Sequence, residues 1–319
     1  MPLFSKDPLQ IITFQSYGTK NLLYARGRAI EDESINLEGK GFLKLLINNW
    51  KRFSTDNIKN TEIIIRLKDG RILENRTDEK GYFKISEVIE NLSDLVNEEG
   101  WMTYEVSYKA LSISRHIQQE NRFPGEVLIP SLNASYGVIS DIDDTILHTG
   151  VASLLKWRLL YNTFFKRADN RIPLEGAAAF YHKLHRGVKG DEANPIFYVS
   201  HSPWNMYCYL VYFLTKNNFP KGPILLRNLP NPFRRKEGGE KPQKQNEIIS
   251  LLEMYPEMSF ILIGDSSEHD ADIYIEIAET YPNRILAIYL RSIKHKKKKL
   301  RIKSLLEAHK ATPTVGGLK

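Results

Sequence analysis

The chain has 319 residues, of which 42% are hydrophobic and 26% charged, the composition of a globular protein large enough for one or two domains. A single cysteine, Cys208, excludes an internal disulfide framework and fits a reducing compartment. The N-terminus lacks a signal-peptide core, and no apolar stretch is long enough to span a bilayer. We therefore expect a cytoplasmic protein, with peripheral association as its only membrane contact.

The net charge of +7 is concentrated in one segment near the end of the chain. Lys294 to Lys303 holds six lysines and one arginine with no acidic residue. Such a cluster attracts an anionic membrane leaflet, at about 1 kcal/mol per basic side chain, or nucleic acid. A solvated, partly helical tail over 294–319 is the alternative, and on the sequence alone it is slightly preferred. Nucleic acid is the less favoured partner because no recognition fold accompanies the lysines.

The first part of the chain carries short β-type runs separated by turn signals. These runs begin at Ile11, Leu22, Glu62 and Tyr104. The segment Lys68-Asp-Gly-Arg71 between two apolar runs predicts a hairpin. One amphipathic helix is predicted over Gly41 to Phe53 from apolar residues at helical spacing. The pattern indicates a small β-sandwich accessory domain over residues 1–130, without residues suited to chemistry.

The second part alternates apolar strands with helices, which predicts an α/β fold with a Rossmann-like, doubly wound parallel sheet over residues 131–310. Residues 131–136 are the expected joint between the domains. The predicted strands begin at Val138, Pro195, Pro223, Phe260 and Ile285.

The segment Gly137-Val-Ile-Ser-Asp-Ile-Asp-Asp-Thr145 is an apolar strand that ends in closely spaced carboxylates. Ligands of open α/β sheets bind beyond the carboxyl ends of such strands. Asp141 and Asp143, two residues apart, are expected on the same side, where one acts as nucleophile and the other as proton donor and acceptor. The alternative for Asp144 and Thr145 is a helix cap, which is the preferred interpretation of Asp144.

Three later segments carry polar groups suited to a phosphate ester. Ser200 follows a strand and precedes a helix, so its hydroxyl and the backbone amides beyond it predict a phosphate cradle. Lys244 opens a helical stretch, although the nearby Lys241 leaves the choice of lysine open. Gly264-Asp265 ends another strand, with Asp270 following, and carboxylates at such a point suit Mg²⁺.

The ordered set of D-x-D-x-T, strand-end serine, lysine and G-D-x-x-x-x-D resembles the four motifs of the haloacid dehalogenase superfamily of phosphohydrolases. More narrowly, the segments starting at Ile139, Phe197, Lys221, Phe260 and Tyr281 resemble the actin-patch phosphatidate phosphatase family. The resemblance covers roughly residues 130–293. Ser267 departs from the glycine expected after Asp-Ser, which affects loop geometry more than chemistry.

The resemblance implies a Mg²⁺-dependent phosphatidate phosphatase acting through an aspartyl phosphate. Asp141 is the implied nucleophile and Asp143 the acid and base, oriented by Thr145. The implied metal ligands are Asp141, the carbonyl of Asp143 and Asp265, with Asp270 acting through metal-bound water or by fixing Lys244. Ser200 and Lys244 are expected to grip the phosphoryl oxygens, with Ser202, Arg171 and Arg227 as further substrate contacts.

Residues 151–190 are too long for a plain crossover, and in this superfamily an insertion there forms a flap or small cap. Its aromatic and basic residues suit a lipid phosphate at an anionic membrane surface, while an ordinary amphipathic helix is the simpler alternative. The enzymatic alternative is a phosphatase that acts on another lipid or soluble phosphomonoester. A membrane-surface scaffold with a vestigial site is the hypothesis of another class, disfavoured because the acidic set is intact.

Overall fold

The computed structural model describes residues 8–31, 58–109, 115–142, 176–227, 242–265, 270–291 and 313–318. The chain divides into two compact units, Met1–Ser131 and Leu132–Lys319. Among the described residues, no helix is both long and apolar enough to cross a membrane.

The first unit is built on one seven-stranded sheet in the order β4-β3-β6-β7-β1-β2-β5. Its strands are β1 (Leu9–Thr19), β2 (Leu22–Glu31), β3 (Glu62–Leu67), β4 (Ile72–Arg76), β5 (Tyr82–Val88), β6 (Trp101–Tyr108) and β7 (Phe123–Leu128). Neighbours are antiparallel except β1 and β7, which are parallel. The edge strands β4 and β5 approach each other, since the side-chain amide of Asn75 donates to the backbone carbonyl of Lys84 at 3.1 Å. The sheet therefore curls round its own core.

Alternation of apolar and polar residues explains which face of this sheet is buried. In β3, Ile63, Ile65 and Leu67 are buried, whereas Glu62 and Arg66 are exposed. The predicted hairpin is confirmed, because β3 and β4 pair antiparallel on either side of residues 68–71. The predicted helix over residues 41–53 lies outside the described residues, and the β-sandwich class stays a prediction.

The second unit is built on a six-stranded sheet in the order β10-β9-β8-β11-β12-β13, with all neighbouring pairs parallel. Its strands are β8 (Gly137–Asp141), β9 (Ile196–Pro203), β10 (Ile224–Arg227), β11 (Phe260–Asp265), β12 (Ile285–Arg291) and β13 (Thr314–Leu318). Its described helices are α1 (Ala177–Arg186), α2 (Tyr207–Lys216), α3 (Gln243–Met254) and α4 (Asp270–Thr280). All five predicted strand segments are confirmed as strands of this sheet.

The strand order reverses in the middle of the sheet, and this reversal sets where a ligand can bind. From β8 the chain builds outward through β9 and β10, and it then returns to add β11 on the other side of β8. Every residue of β8 and β11 is buried, as expected for central parallel strands. In such sheets the crevice at the carboxyl ends of the two central strands is the usual binding site.

Strand β13 was not expected from the sequence. It pairs with β12 from Ile288 beside Thr314 to Arg291 beside Leu318, so the sheet extends past residue 310 into the segment interpreted as a basic tail. Gly316 and Gly317 give this segment a weak strand signal, because glycine has no side chain to pack on a pleated surface. The lysine-rich run of residues 294–303 lies outside the described residues.

Candidate active site

Two buried carboxylates end the two central strands of the parallel sheet. Asp141 is the last residue of β8 and Asp265 the last residue of β11, and both are 0% exposed. The register places Ser140 beside Ile263, and neighbouring strands lie only about 4.8 Å apart. The fold therefore brings both predicted strand-end carboxylates to the crevice between β8 and β11.

Lys244 is the buried cation of this edge. It is the second residue of α3. This helix begins just after Pro242, and proline is suited to the start of a helix. Its Nζ atom lies 2.8 Å from Oδ1 of Asp141 and 2.5 Å from Oδ1 of Asp270. A lysine that is 2% exposed is rare unless it is paired, and here two carboxylates supply the pairing.

The charges around Lys244 decide its protonation state. Burial alone would lower its pKa, but the negative charges of Asp141 and Asp270 outweigh that effect, so its pKa is raised well above the ordinary 10.5. Lys244 is therefore a permanent positive charge at physiological pH. This separates it from the general-base lysines that burial makes neutral.

Asp270 uses its two oxygens to connect α3 with the end of β11. Oδ1 accepts from Lys244 Nζ, and Oδ2 accepts from the backbone N–H of Asp265 at 3.3 Å. Asp270 is also the first residue of α4, where the helix dipole stabilises a negative charge. The contact with Lys244 corresponds to the second of the two roles that the resemblance gives Asp270.

Gly264 leaves room for this carboxylate to approach the strand. A Cβ atom at Gly264 would lie 2.5 Å from Oδ2 of Asp270 and 2.8 Å from the ring of Tyr274. The hydroxyl of Tyr274 donates to the carbonyl of Ile263 at 3.0 Å. Sequence reasoning missed Tyr274, although its spacing of four residues from Asp270 on a helix places both on one face.

Replacing Gly264 by alanine is expected to impair the site more than the fold. The new methyl group displaces the Asp270 carboxylate from Asp265 and Lys244, so we expect about a 10-fold or larger loss of the catalytic activity of the site. The overpacking should lower the free energy of unfolding by about 1–3 kcal/mol. Urea unfolding and steady-state kinetics check both values.

Gly70→Ala is the control for that substitution. Gly70 lies in the first unit at φ +88°, with open space where a Cβ would be, so the substitution costs stability through backbone strain and its methyl group meets no neighbouring atom. Equal activity losses in the Gly264 and Gly70 variants would contradict the role assigned to Gly264.

Strand β9 contributes two buried serines to the same end of the sheet. Val199 pairs with Asp141, so Ser200 follows one residue beyond the neighbour of the carboxylate. The backbone N–H of Ser202 donates to the Ser200 hydroxyl oxygen at 2.9 Å, which holds that side chain in place. A short 3₁₀ turn, Trp204–Met206, then leads into α2.

The structure describes only some of the remaining predicted site residues. Arg227 is the last residue of β10, beside Pro203 in the register, so it is a strand residue at the same end of the sheet. Asp143, Thr145, Arg171 and Lys241 lie outside the described residues. The structure thus brings together Asp141, Lys244, Asp265 and Asp270, and places Ser200 and Ser202 on the neighbouring strand.

The charge of these groups fits a divalent cation. Among the described residues of this edge, the carboxylates of Asp141, Asp265 and Asp270 and the ammonium of Lys244 sum to a formal charge of −2, and all four are buried. Buried charge is costly unless it is compensated. Carboxylate oxygens are the ligands that Mg²⁺ prefers. Within the described ranges no cluster of three acidic, histidine or cysteine metal-binding candidates forms, and predicted Asp143 falls outside those ranges.

Comparison with known proteins finds a family match over the residues of this site. The family model described as "Phosphatidate phosphatase APP1, catalytic domain" matches residues 136–292. "Phosphatidate phosphatase APP1" of Saccharomyces cerevisiae is 36% identical over 170 residues, which is 53% of this chain and 27% of that protein. "Uncharacterized protein C29B5.04c" of Schizosaccharomyces pombe is 27% identical over 218 residues, 68% of this chain and 34% of that protein.

This chain therefore spans about a third or less of the length of these curated relatives. Among solved structures, the flavohemoglobin of Malassezia yamatoensis aligns at 9% identity, over 90% of this chain and 60% of that one. Its TM-score of 0.21 is too low to support any inference. The family match spans the parallel strands from β8 to β12 together with Asp141, Ser200, Lys244 and Asp265. Residues 136–292 of this chain are thus similar to the catalytic domain of the phosphatidate phosphatase APP1 family, which supports the resemblance to the actin-patch phosphatidate phosphatases.

Proposed function

We propose that this chain is a Mg²⁺-dependent phosphatidate phosphatase that hydrolyses phosphatidate to diacylglycerol and phosphate. The main observation that supports this proposal is the buried contact of Lys244 with Asp141 and Asp270 at the carboxyl edge of the central strands. A fixed positive charge beside a strand-end carboxylate suits the attack of that carboxylate on an anionic phosphorus centre. The family match supports phosphatidate as the substrate.

In the proposed first step, a carboxylate oxygen of Asp141 attacks phosphorus in line with the leaving glyceryl oxygen. The new O–P bond forms as the ester P–O bond breaks, and Asp143 donates its proton to the leaving alkoxide. In the second step, Asp143 takes a proton from water, which attacks the aspartyl phosphate and restores the carboxylate of Asp141. Dividing hydrolysis in this way replaces one difficult step with two easier ones.

Lys244 and Ser200 are the proposed phosphate-binding groups. Lys244 is protonated before the reaction because Asp141 and Asp270 raise its pKa, and its charge offsets the charge that builds up on the phosphoryl oxygens. Asp141 and Asp265, with the carbonyl of Asp143, would hold Mg²⁺. When bound, Mg²⁺ neutralises charge on both the nucleophile and the phosphate, which lets two anions approach.

We also propose that the second unit is a haloacid dehalogenase-like phosphatase domain, a Rossmann-like α/β fold. The central position of β8, the reversal of strand order at β8 and β11, and the polar residues at three strand ends support this. Residues 151–190, proposed as the flap over the site, lie largely outside the described residues.

The direct test is phosphate release by the purified protein. Phosphatidate in mixed detergent micelles is compared with a panel that includes lysophosphatidate and soluble phosphomonoesters, each with Mg²⁺ and with EDTA. We expect strong preference for phosphatidate and no activity in EDTA. Activity confined to soluble esters would exclude phosphatidate and keep the chemistry, whereas inactivity on every ester would favour a scaffold with a vestigial site.

The proposed partner of the lysine-rich run is an anionic membrane surface. Co-sedimentation with liposomes of anionic and of neutral composition, at low and high salt, tests this. Binding that requires anionic lipid and weakens with salt is the expected result. Stronger competition by duplex DNA than by anionic liposomes would exclude the membrane assignment.

A further inference from the structure

A buried chain of two hydroxyl groups leads to the backbone of Asp141. Oγ of Ser140 lies 2.9 Å from the carbonyl oxygen of Asp141 and 2.5 Å from the hydroxyl oxygen of Tyr181. Asp141 and Ser140 are 0% exposed and Tyr181 is 3% exposed, so these contacts are shielded from bulk water. The hydroxyl chain connects β8 with α1, which lies within residues 151–190, the segment of the predicted flap.

The direction of these hydrogen bonds follows from the groups involved. A carbonyl oxygen can only accept, so Ser140 donates its proton to Asp141. A serine hydroxyl has one proton, so Tyr181 must donate to Ser140. Burial raises the pKa of Tyr181, its hydrogen bond to Ser140 lowers it and the charge of Asp141 raises it, and the pKa ends above its ordinary value. Tyr181 therefore remains a donor at physiological pH.

Aromatic neighbours hold the ring of Tyr181 from two sides. Tyr198 of β9 stacks on it, with ring centroids 6.3 Å apart, and Phe219 meets it edge-on at 5.3 Å. A ring fixed in this way presents its hydroxyl to Ser140 at little cost in side-chain entropy. The chain of hydroxyl groups is therefore anchored at Tyr181.

Asp141 lies one residue beyond the last β8 residue that pairs with β11, while it still pairs with Val199 of β9. The register of β8 with β11 ends at Ser140 beside Ile263, one residue before Asp141. On the other side the backbone N–H of Ile142 donates to Val199 at 3.1 Å. The hydroxyl chain thus adds a fixed point to the Asp141 peptide just beyond the last residue that β11 pairs with.

We propose that Tyr181 is a positioning residue for the nucleophile, acting through Ser140 on the main chain of Asp141. The proposal rests on the proposed function of Asp141. Small displacements of a reacting group cost rate far more than they cost binding, because attack needs alignment with phosphorus. The loss should fall on kcat, with KM little changed, which is the pattern for an interaction that matters in the transition state.

The test is Tyr181→Phe, with Tyr108→Phe as its matched control. Tyr108 is also buried, and its hydroxyl donates to the Gln10 carbonyl at 2.9 Å within the first unit. Both variants lose one buried hydrogen bond, so similar falls in the unfolding midpoint are expected. We expect about a 10-fold lower kcat with KM within about twofold for Tyr181→Phe, and kcat within about twofold of wild type for the control.

Ser140→Ala removes the donor to Asp141 and is expected to repeat the kcat loss, which keeps the test decisive if Tyr181→Phe does not fold. Unchanged kcat in both site variants, or the same loss in the control, would overturn the inference and leave the proposed function standing. If the wild type is inactive on every ester, the proposed function fails. In that case, crystal structures of wild type and of Tyr181→Phe test the inference. Tyr181→Phe should alter the distance between Asp141 Oδ1 and Lys244 Nζ, which is 2.8 Å in wild type. An unaltered distance would overturn it.

Discussion

Asp141→Asn is expected to lower phosphate release by at least about 10³-fold while the protein stays folded, because an amide cannot attack phosphorus. The substitution keeps the shape of a side chain that is 0% exposed. It also reduces the formal charge of the buried group from −2 to −1, which relieves part of the repulsion among the carboxylates. Lys244 keeps its contact with Asp270 at 2.5 Å. Kinetics on phosphatidate micelles and circular dichroism measure the two expectations.

Asp191→Asn is the matched control for Asp141→Asn. Asp191 is an exposed carboxylate of the same unit, at a position between α1 and β9. It should change neither activity nor stability measurably. Trapping of the aspartyl phosphate with hydroxylamine adds a direct chemical readout, since wild type should yield a hydroxamate at Asp141. Residual turnover above about one tenth of wild type in Asp141→Asn would contradict the nucleophile assignment.

Lys244→Met is expected to abolish activity and to destabilise the protein strongly. The substitution keeps the length of the side chain and removes the cation that pairs with Asp141 and Asp270. Breaking a buried ion pair from one side costs about 3–5 kcal/mol, because charge is left buried without compensation. Urea unfolding measures this loss at a fixed Mg²⁺ concentration.

The loss in free energy of unfolding caused by Lys244→Met should be independent of pH near neutrality. The pKa of Lys244 in the folded protein is raised above the ordinary 10.5. The stability from its pairing is therefore fully present below about pH 10.5 and lost only as the pH rises through the folded pKa. Lys244→Met lowers the free energy of unfolding relative to wild type. The part of this difference that arises from lysine ionisation should be equal at pH 7 and pH 9.

Lys216→Met and Lys241→Met complete the comparison. Lys216 is an exposed lysine at the end of α2, and its replacement should change the free energy of unfolding by no more than about 0.5 kcal/mol. Lys241 is the other lysine that the sequence left open as the phosphate-binding residue. A larger activity loss in Lys241→Met than in Lys244→Met would reverse the assignment.

Much of the parallel sheet could be predicted from the sequence because its strands are unbroken apolar runs. β8 and β11 are buried on both faces, so nearly every residue in them is apolar until the carboxylate at the end. The same reasoning placed Asp141 and Asp265 at one edge, and the order of the motifs indicated Lys244. The hairpin of β3 and β4 was predictable from the Asp-Gly turn between two β-type runs.

Other features depend on contacts that no local pattern encodes. The sequence could not choose between Lys241 and Lys244, because burial between Asp141 and Asp270 is a property of the assembled fold. Tyr181 and Tyr274 are typical core residues of helices until their hydroxyl partners are known. Strand β13 escaped prediction because two adjacent glycines weaken its strand pattern. The order of the first unit's strands also follows from long-range pairing alone.

The reversal of strand order between β8 and β11 has a consequence for how the protein folds. The two central strands are neighbours in space, but α1, β9, α2, β10 and α3 lie between them in the chain. Closing so long a connection costs entropy before any contact repays it, and topologies of this kind fold slowly. The carboxylates and the lysine meet only when β11 docks on β8, so recovery of activity should coincide with the late, rate-limiting phase of refolding.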